Sequence, residues 1–202
     1  MAFISNGTTI LDNGAFSVSL GGQILLATAT ASSSASLSFT SGISSTYDIY
    51  HFEFINMHPA TDNTSFQFNM SVDGGSNYNV TKTTTFFRPY HLEGAEQTGD
   101  LEYTTANDLA QSTDFQTLAD RVDNDADSSC SGTLEIFNPA STTFVKHFIS
   151  NIDRVFGDSP IQAQDHAAGY ANTTSAVNAV QFKFASGNID SGKIKMYGIK
   201  GS

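Results

Sequence analysis

VNAVQFKFASGNIDSGKIKMYGIK, residues 177–200, decides the class of fold. Val180, Phe182 and Phe184 alternate with Gln181 and Lys183, and further on Ile194 and Met196 alternate with Lys193 and Lys195. A period of two with one apolar face belongs to a strand buried on one side. Ser186-Gly187-Asn188 and Ser191-Gly192 lie between the two runs, so the stretch reads as an antiparallel hairpin whose second strand closes the fold. Its acids and bases form no arrangement that points to chemistry.

The same alternation recurs upstream. Across residues 64–72, Phe66, Phe68, Met70 and Val72 oppose Ser65, Gln67, Asn69 and Ser71. Asp73-Gly74-Gly75-Ser76 then reads as a hairpin turn, with residues 78–87 returning as the partner strand. Residues 47–57 are apolar at nearly every position: Tyr50, Phe52 and Phe54 on one face, Ile49, Ile55 and Met57 on the other. That predicts a central strand covered on both sides. Shorter strands are expected at 23–31, 35–39, 133–137 and 143–150, while 92–131 is polar, acidic and loop-like and 153–166 follows neither period. No amphipathic helix stands out. About eight to ten strands between turn clusters predict an all-β chain, an antiparallel β-sandwich that is jelly-roll-like. Its expected core includes Phe52, Phe54, Phe66, Phe68, Met70, Phe182 and Phe184. Residues 1–22, with turn signals at Asn6-Gly7 and Asn13-Gly14, read as a short N-terminal arm or hairpin, and residues 23–202 as the sandwich domain.

Composition narrows the function. Only 14% of the 202 residues are charged, against roughly 25% in an average soluble domain. The formal net charge is −11, and the first fixed positive charge is Lys82. Phosphate-directed nucleic-acid binding needs a basic footprint that this chain lacks, and anionic membrane surfaces are disfavoured for the same reason. The first residues carry no basic and apolar leader pattern, and no apolar run approaches the roughly 20 residues that span a bilayer. Cys130, the single cysteine, excludes an intrachain disulfide and reads as a small residue beside a strand. The first 22 residues have too few apolar groups for a core of their own, and neutral polar faces approach one another with little desolvation penalty. These features predict a homo-oligomer, with a trimer preferred.

Site chemistry is sparse. Asp123, Asp125 and Asp127 place carboxylates at alternate positions, so calcium is the one cofactor left open. An EF-hand reading fails, because Ser128 and Leu134 stand where glycine and glutamate are needed. His51 and Glu53 share a strand face without a nucleophile, and the five histidines lack metal-ligand spacing. Tyr90, His91 and Tyr103 are candidates for a glycan-receiving surface, weakened by the absence of tryptophan. No catalytic residue is assigned, and no enzyme activity is expected.

Several phrases carry a resemblance over nearly the whole chain. They are ISNGTTILDNG at 4–14, ASSSASLSFTSG at 31–42, SVDGGSNYNVTK at 71–82, GTLEIFNP at 132–139, and SGN at 186–188 with YGIK at 197–200. Their order and content resemble a family of small structural proteins encoded by tailed, mostly marine bacteriophages, related to the β domains of fibres and other appendages. The resemblance implies a virion component that assembles with itself and with other virion proteins as tail fibre, appendage or capsid decoration. A receptor-binding module for host-surface glycans is the alternative. It carries no catalytic or ligand residues over.

Overall fold

A computed structural model describes residues 3–5, 8–12, 15–16, 22–93, 99–156 and 161–200. Among them the regular elements are strands and one short 3-10 turn at Thr105–Asn107. Near the N-terminus, β1 (Phe3–Ser5), β2 (Thr8–Asp12) and β3 (Ala15–Phe16) form a small antiparallel sheet in that order. The Asn-Gly turn signals at 6–7 and 13–14 lie outside the described residues.

The other twelve strands build two packed sheets. They are β4 (Gln23–Thr30), β5 (Leu37–Phe39), β6 (Ile49–Pro59), β7 (Thr64–Ser71), β8 (Lys82–Leu92), β9 (Gly99–Tyr103), β10 (Gln116–Val122), β11 (Cys130–Phe137), β12 (Lys146–Phe156), β13 (Ile161–Ala171), β14 (Ala179–Phe184) and β15 (Ile189–Ile199). The larger sheet runs β4-β15-β6-β11-β12-β13-β8-β9 and the smaller β10-β7-β14-β5, with every pairing antiparallel. The chain is therefore an all-β antiparallel sandwich.

Phenylalanine fills the space between the sheets. The Phe182 ring lies at the centre, with the Phe54, Phe52, Phe66, Phe39 and Phe68 centroids 5.1, 5.3, 6.1, 6.2 and 6.4 Å away. All seven expected core residues are buried. Large rings suit this position because they bridge the roughly 10 Å between facing sheets. Cys130 is buried in the same core, and burial pushes its thiol pKa up.

Five expectations about the strands need correcting. The stretch 177–200 is an arch and not a hairpin: β14 pairs with β5 and β7 in the smaller sheet, while β15 pairs with β4 and β6 in the larger. Both alternations hold, but period two says which face is buried and not which neighbour is paired. The segment after β7 likewise crosses to the opposite sheet, where β8 pairs with β13 and β9. Third, β6 is central, with both edges paired, but its outer face is not covered throughout: Ile55 lies open. A bulge, with Asn56 at φ 50°, inserts one extra residue against β11 and turns Met57 into the core. The region 92–131, read as loop, supplies β9 and β10, and 153–166 supplies parts of β12 and β13.

Candidate functional site

The chain has three arginines, Arg88, Arg121 and Arg154, and all three line one cavity of about 270 Å³. Alternation sets two of them. On β8 the inward phase runs Phe86, Arg88, Tyr90, and on β12 it runs Phe148, Ser150, Ile152, Arg154. Strand β10 brings the third across from the smaller sheet. Its pairing with β7 slips twice between Thr117 and Val122, and Arg121 sits in the left-handed region at φ 48°. Tyr90, Leu92, Phe156, Ile161 and Ala163 form the apolar wall, and Glu102 of β9 completes the lining.

The charges are tightly coupled. Arg88 donates from Nε and Nη2 to Glu102 Oε2 at 3.0 and 2.8 Å and from Nη1 to Asp120 Oδ2 at 2.8 Å. Arg121 Nε donates to the same Asp120 oxygen at 3.2 Å, and its guanidinium carbon lies 4.9 Å from the Phe156 ring centroid. Arg154 Nε donates to Asp165 Oδ2 at 2.7 Å, an oxygen that also accepts the Asp120 N–H at 2.7 Å. Burial works to raise Asp120, but the Ser65 hydroxyl and the arginines outweigh it and hold that carboxyl low. Burial would lower Arg88, yet Glu102 and Asp120 together raise it. For Asp165, burial dominates and raises the pKa despite Arg154. Its Oδ1 is fully buried and has no hydrogen-bond partner among the described residues.

This cluster escaped the reading by motif, since 33 residues separate each arginine from the next. One signal was present. Arginine on the apolar phase of a strand is costly unless partnered, so Arg88 and Arg154 at inward positions mark a polar site inside the sandwich.

The structure distributes the expected glycan residues over two faces. Tyr90 lines the cavity, but His91 follows it directly on β8 and faces the opposite side. Tyr103 is cross-strand from Phe87 on that same outer face, and its hydroxyl donates to Asp108 at 2.6 Å. The three therefore form no common surface. Calcium fares similarly: among the described residues no group of three or more His, Cys, Asp or Glu side chains is placed to hold a metal ion. Asp123 is buried and its Oδ1 accepts the Asp125 N–H at 3.2 Å, while Asp127 borders a separate polar hollow beside His58 and Asp190. The side chains of Asp123, Asp125 and Asp127 do not converge. His51 turns from Glu53 to Glu135 of β11, with Nδ1 3.2 Å from Oε1, and Glu53 instead accepts the Tyr197 hydroxyl at 3.0 Å.

No protein-family model, curated protein or solved structure matches this chain.

Proposed function

We propose that this protein is a non-enzymatic structural component of a bacteriophage particle, acting by packing against copies of itself and against other particle proteins. Strand order carries the reading. With the hairpin strands β8, β9, β12 and β13 set aside, the larger sheet reads β4-β15-β6-β11 and the smaller β5-β14-β7-β10. In chain order those are strands one, eight, three, six and strands two, seven, four, five, an order that supports a jelly-roll reading, an architecture of viral capsid and lectin domains. The four remaining strands extend the larger sheet beyond β11.

The surface supports the same reading. Among the described residues nine large hydrophobic side chains are exposed, and six of them, Leu25, Ile55, Phe87, Leu101, Tyr103 and Ile149, lie on the outer face of the larger sheet by their register. Of these, Phe87, Leu101 and Tyr103 neighbour one another on β8 and β9, and an exposed apolar patch there fits a protein contact. The phrases that resemble phage structural proteins point the same way. Mass spectrometry and cryo-electron microscopy of purified particles, with light scattering on the isolated protein, test the proposal. The expected result is a multicopy component with an oligomeric mass. A chain that stays monomeric at high concentration and is missing from purified particles overturns it.

A further inference from the structure

We infer that the arginine cavity between β8, β9, β10, β12 and β13 binds a carboxylate-bearing sugar of the hexuronate class. The inference does not rest on the assembly reading, because binding is a property of the isolated chain.

Donors at the cavity are left unspent. Each guanidinium nitrogen of Arg88 already donates to Glu102 or Asp120. Arg121 uses only Nε, so among the described residues both its terminal amino groups are uncommitted. Arg154 commits Nε to Asp165 and reaches the Arg121 carbonyl from Nη1 at a long 3.5 Å, which leaves Nη2 uncommitted. Here the planar forks of two arginines keep N–H groups at a cavity, and a planar carboxylate matches such a fork in two parallel bonds.

Backbone geometry marks the same place. Arg121 occupies the left-handed region in a strand that slips register on both sides of Ala119. Non-glycine residues held there cluster at ligand sites, where the surrounding structure compensates the strain.

Charge balance and lining together select the ligand. Arg88, Arg121 and Arg154 face Glu102, Asp120 and Asp165, so the formal charges cancel. A balanced site favours a singly charged ligand over a phosphate dianion. Glu102 is 44% exposed and its Oε1 has no partner among the described residues, so it can accept a ligand hydroxyl. Tyr90, Leu92 and Ile161 offer an apolar wall to the C–H face of a ring. The volume, about 270 Å³, falls just below the roughly 300–1,000 Å³ typical of ligand sites and suits one ring in place of an extended oligosaccharide. One carboxylate, several hydroxyls and an apolar ring face describe a hexuronate.

The test is a titration of the full chain with glucuronate, glucose and inorganic phosphate, followed by two-dimensional amide NMR. Glucuronate should shift amides of β8, β10 and β12, with glucose and phosphate each at least about tenfold weaker. Arg121→Gln should weaken glucuronate about tenfold or more, and Arg121→Lys should restore part of the loss. Arg121 is 44% exposed, so this change spares the core, and Tyr90→Ala supplies a second variant on the opposite wall. Glucuronate binding no tighter than glucose overturns the inference, as does phosphate binding tightest, or an affinity unchanged by both Arg121→Gln and Tyr90→Ala.

Discussion

At the scale of single residues, Phe182 and Lys82 make the sharpest contrast. Phe182→Ala removes the ring that five other phenylalanines surround, and should cost about 3–5 kcal/mol in urea unfolding. Phe144, 69% exposed, belongs to the same residue type, and Phe144→Ser should change stability by less than about 0.5 kcal/mol. Lys82 is fully buried and donates to Asn69 Oδ1 at 2.7 Å and to the Val80 carbonyl at 2.8 Å. Burial pulls its pKa down to about 7, with the charge of Asp114 opposing part of the fall. A neutral amine keeps two N–H donors for its two acceptors. Because the folded value lies below the ordinary lysine value of about 10.4, the unfolded chain holds the extra proton between them. The native state therefore carries the full penalty below about pH 7 and is relieved as pH rises toward about 10. Wild type should gain stability relative to Lys82→Met between pH 6 and pH 9, measured by denaturant midpoints in both proteins. The core phenylalanines were legible from alternation alone. The three arginines were not, because nothing in a one-dimensional string states that positions in β8, β10 and β12 meet.

At the scale of elements, faces are encoded locally and partners are not. Alternation in 177–184 and 189–199 assigned the buried sides correctly, yet pairing depends on β4 and β5, more than 130 residues away. The bulge at Asn56 is a second kind of blind spot. A single left-handed residue reverses the phase of β6, so Met57 enters the core where strict alternation pointed it outward. Two predictions belong here. Gly198 on β15 lies under the Tyr47 ring, and a Cβ added there would come within 2.5 Å of a ring carbon. Gly198→Ala should destabilise by about 1–3 kcal/mol, and Tyr47→Ala in the same chain should recover part of that loss. In the crossing after β7, Asp73 accepts the Ser71 hydroxyl at 2.6 Å, the Asn77 amide at 2.9 Å and the Asn77 side-chain N–H at 2.7 Å. The Ser71 and Asn77 bonds hold its carboxyl at about 2. The unfolded value is higher, so this loop's contribution is present above about pH 4 and is lost as pH falls through about 2. The Asn77 amide resonance should titrate near that value, and Asp73→Asn should abolish the transition.

At the scale of the whole molecule, the larger sheet outgrows the smaller by four strands, eight against four. Its outer face concentrates the exposed hydrophobic side chains, and the inner side of the extension holds the charged cavity. The two faces should thus separate by mutation. Ile149→Asp with Leu101→Asp, both on outward positions, should lower the oligomeric mass in light scattering while the melting temperature and glucuronate response persist. Arg121→Gln should keep the oligomeric mass and the melting temperature and lose the glucuronate response. Deleting residues 1–22 asks a different question: an arm that mediates assembly leaves a folded chain of reduced mass, whereas an integral part of the sandwich takes the melting temperature down with it. The β-sandwich class was visible in the sequence because many short alternating runs leave no other economical way to bury so much phenylalanine. Which strands cross, and which extend, was not, because those choices are made by contacts between distant segments.

The position of β15 between β4 and β6 has a consequence for biosynthesis. A ribosome delivers β4 and β6 long before β15, so the growing polypeptide holds an empty slot with two unsatisfied edges. Until that slot is filled, the emerging chain is open to insertion of the equivalent segment from a neighbour on the same messenger. Crowded translation should therefore raise the yield of strand-exchanged species, and slow, dilute synthesis should suppress them.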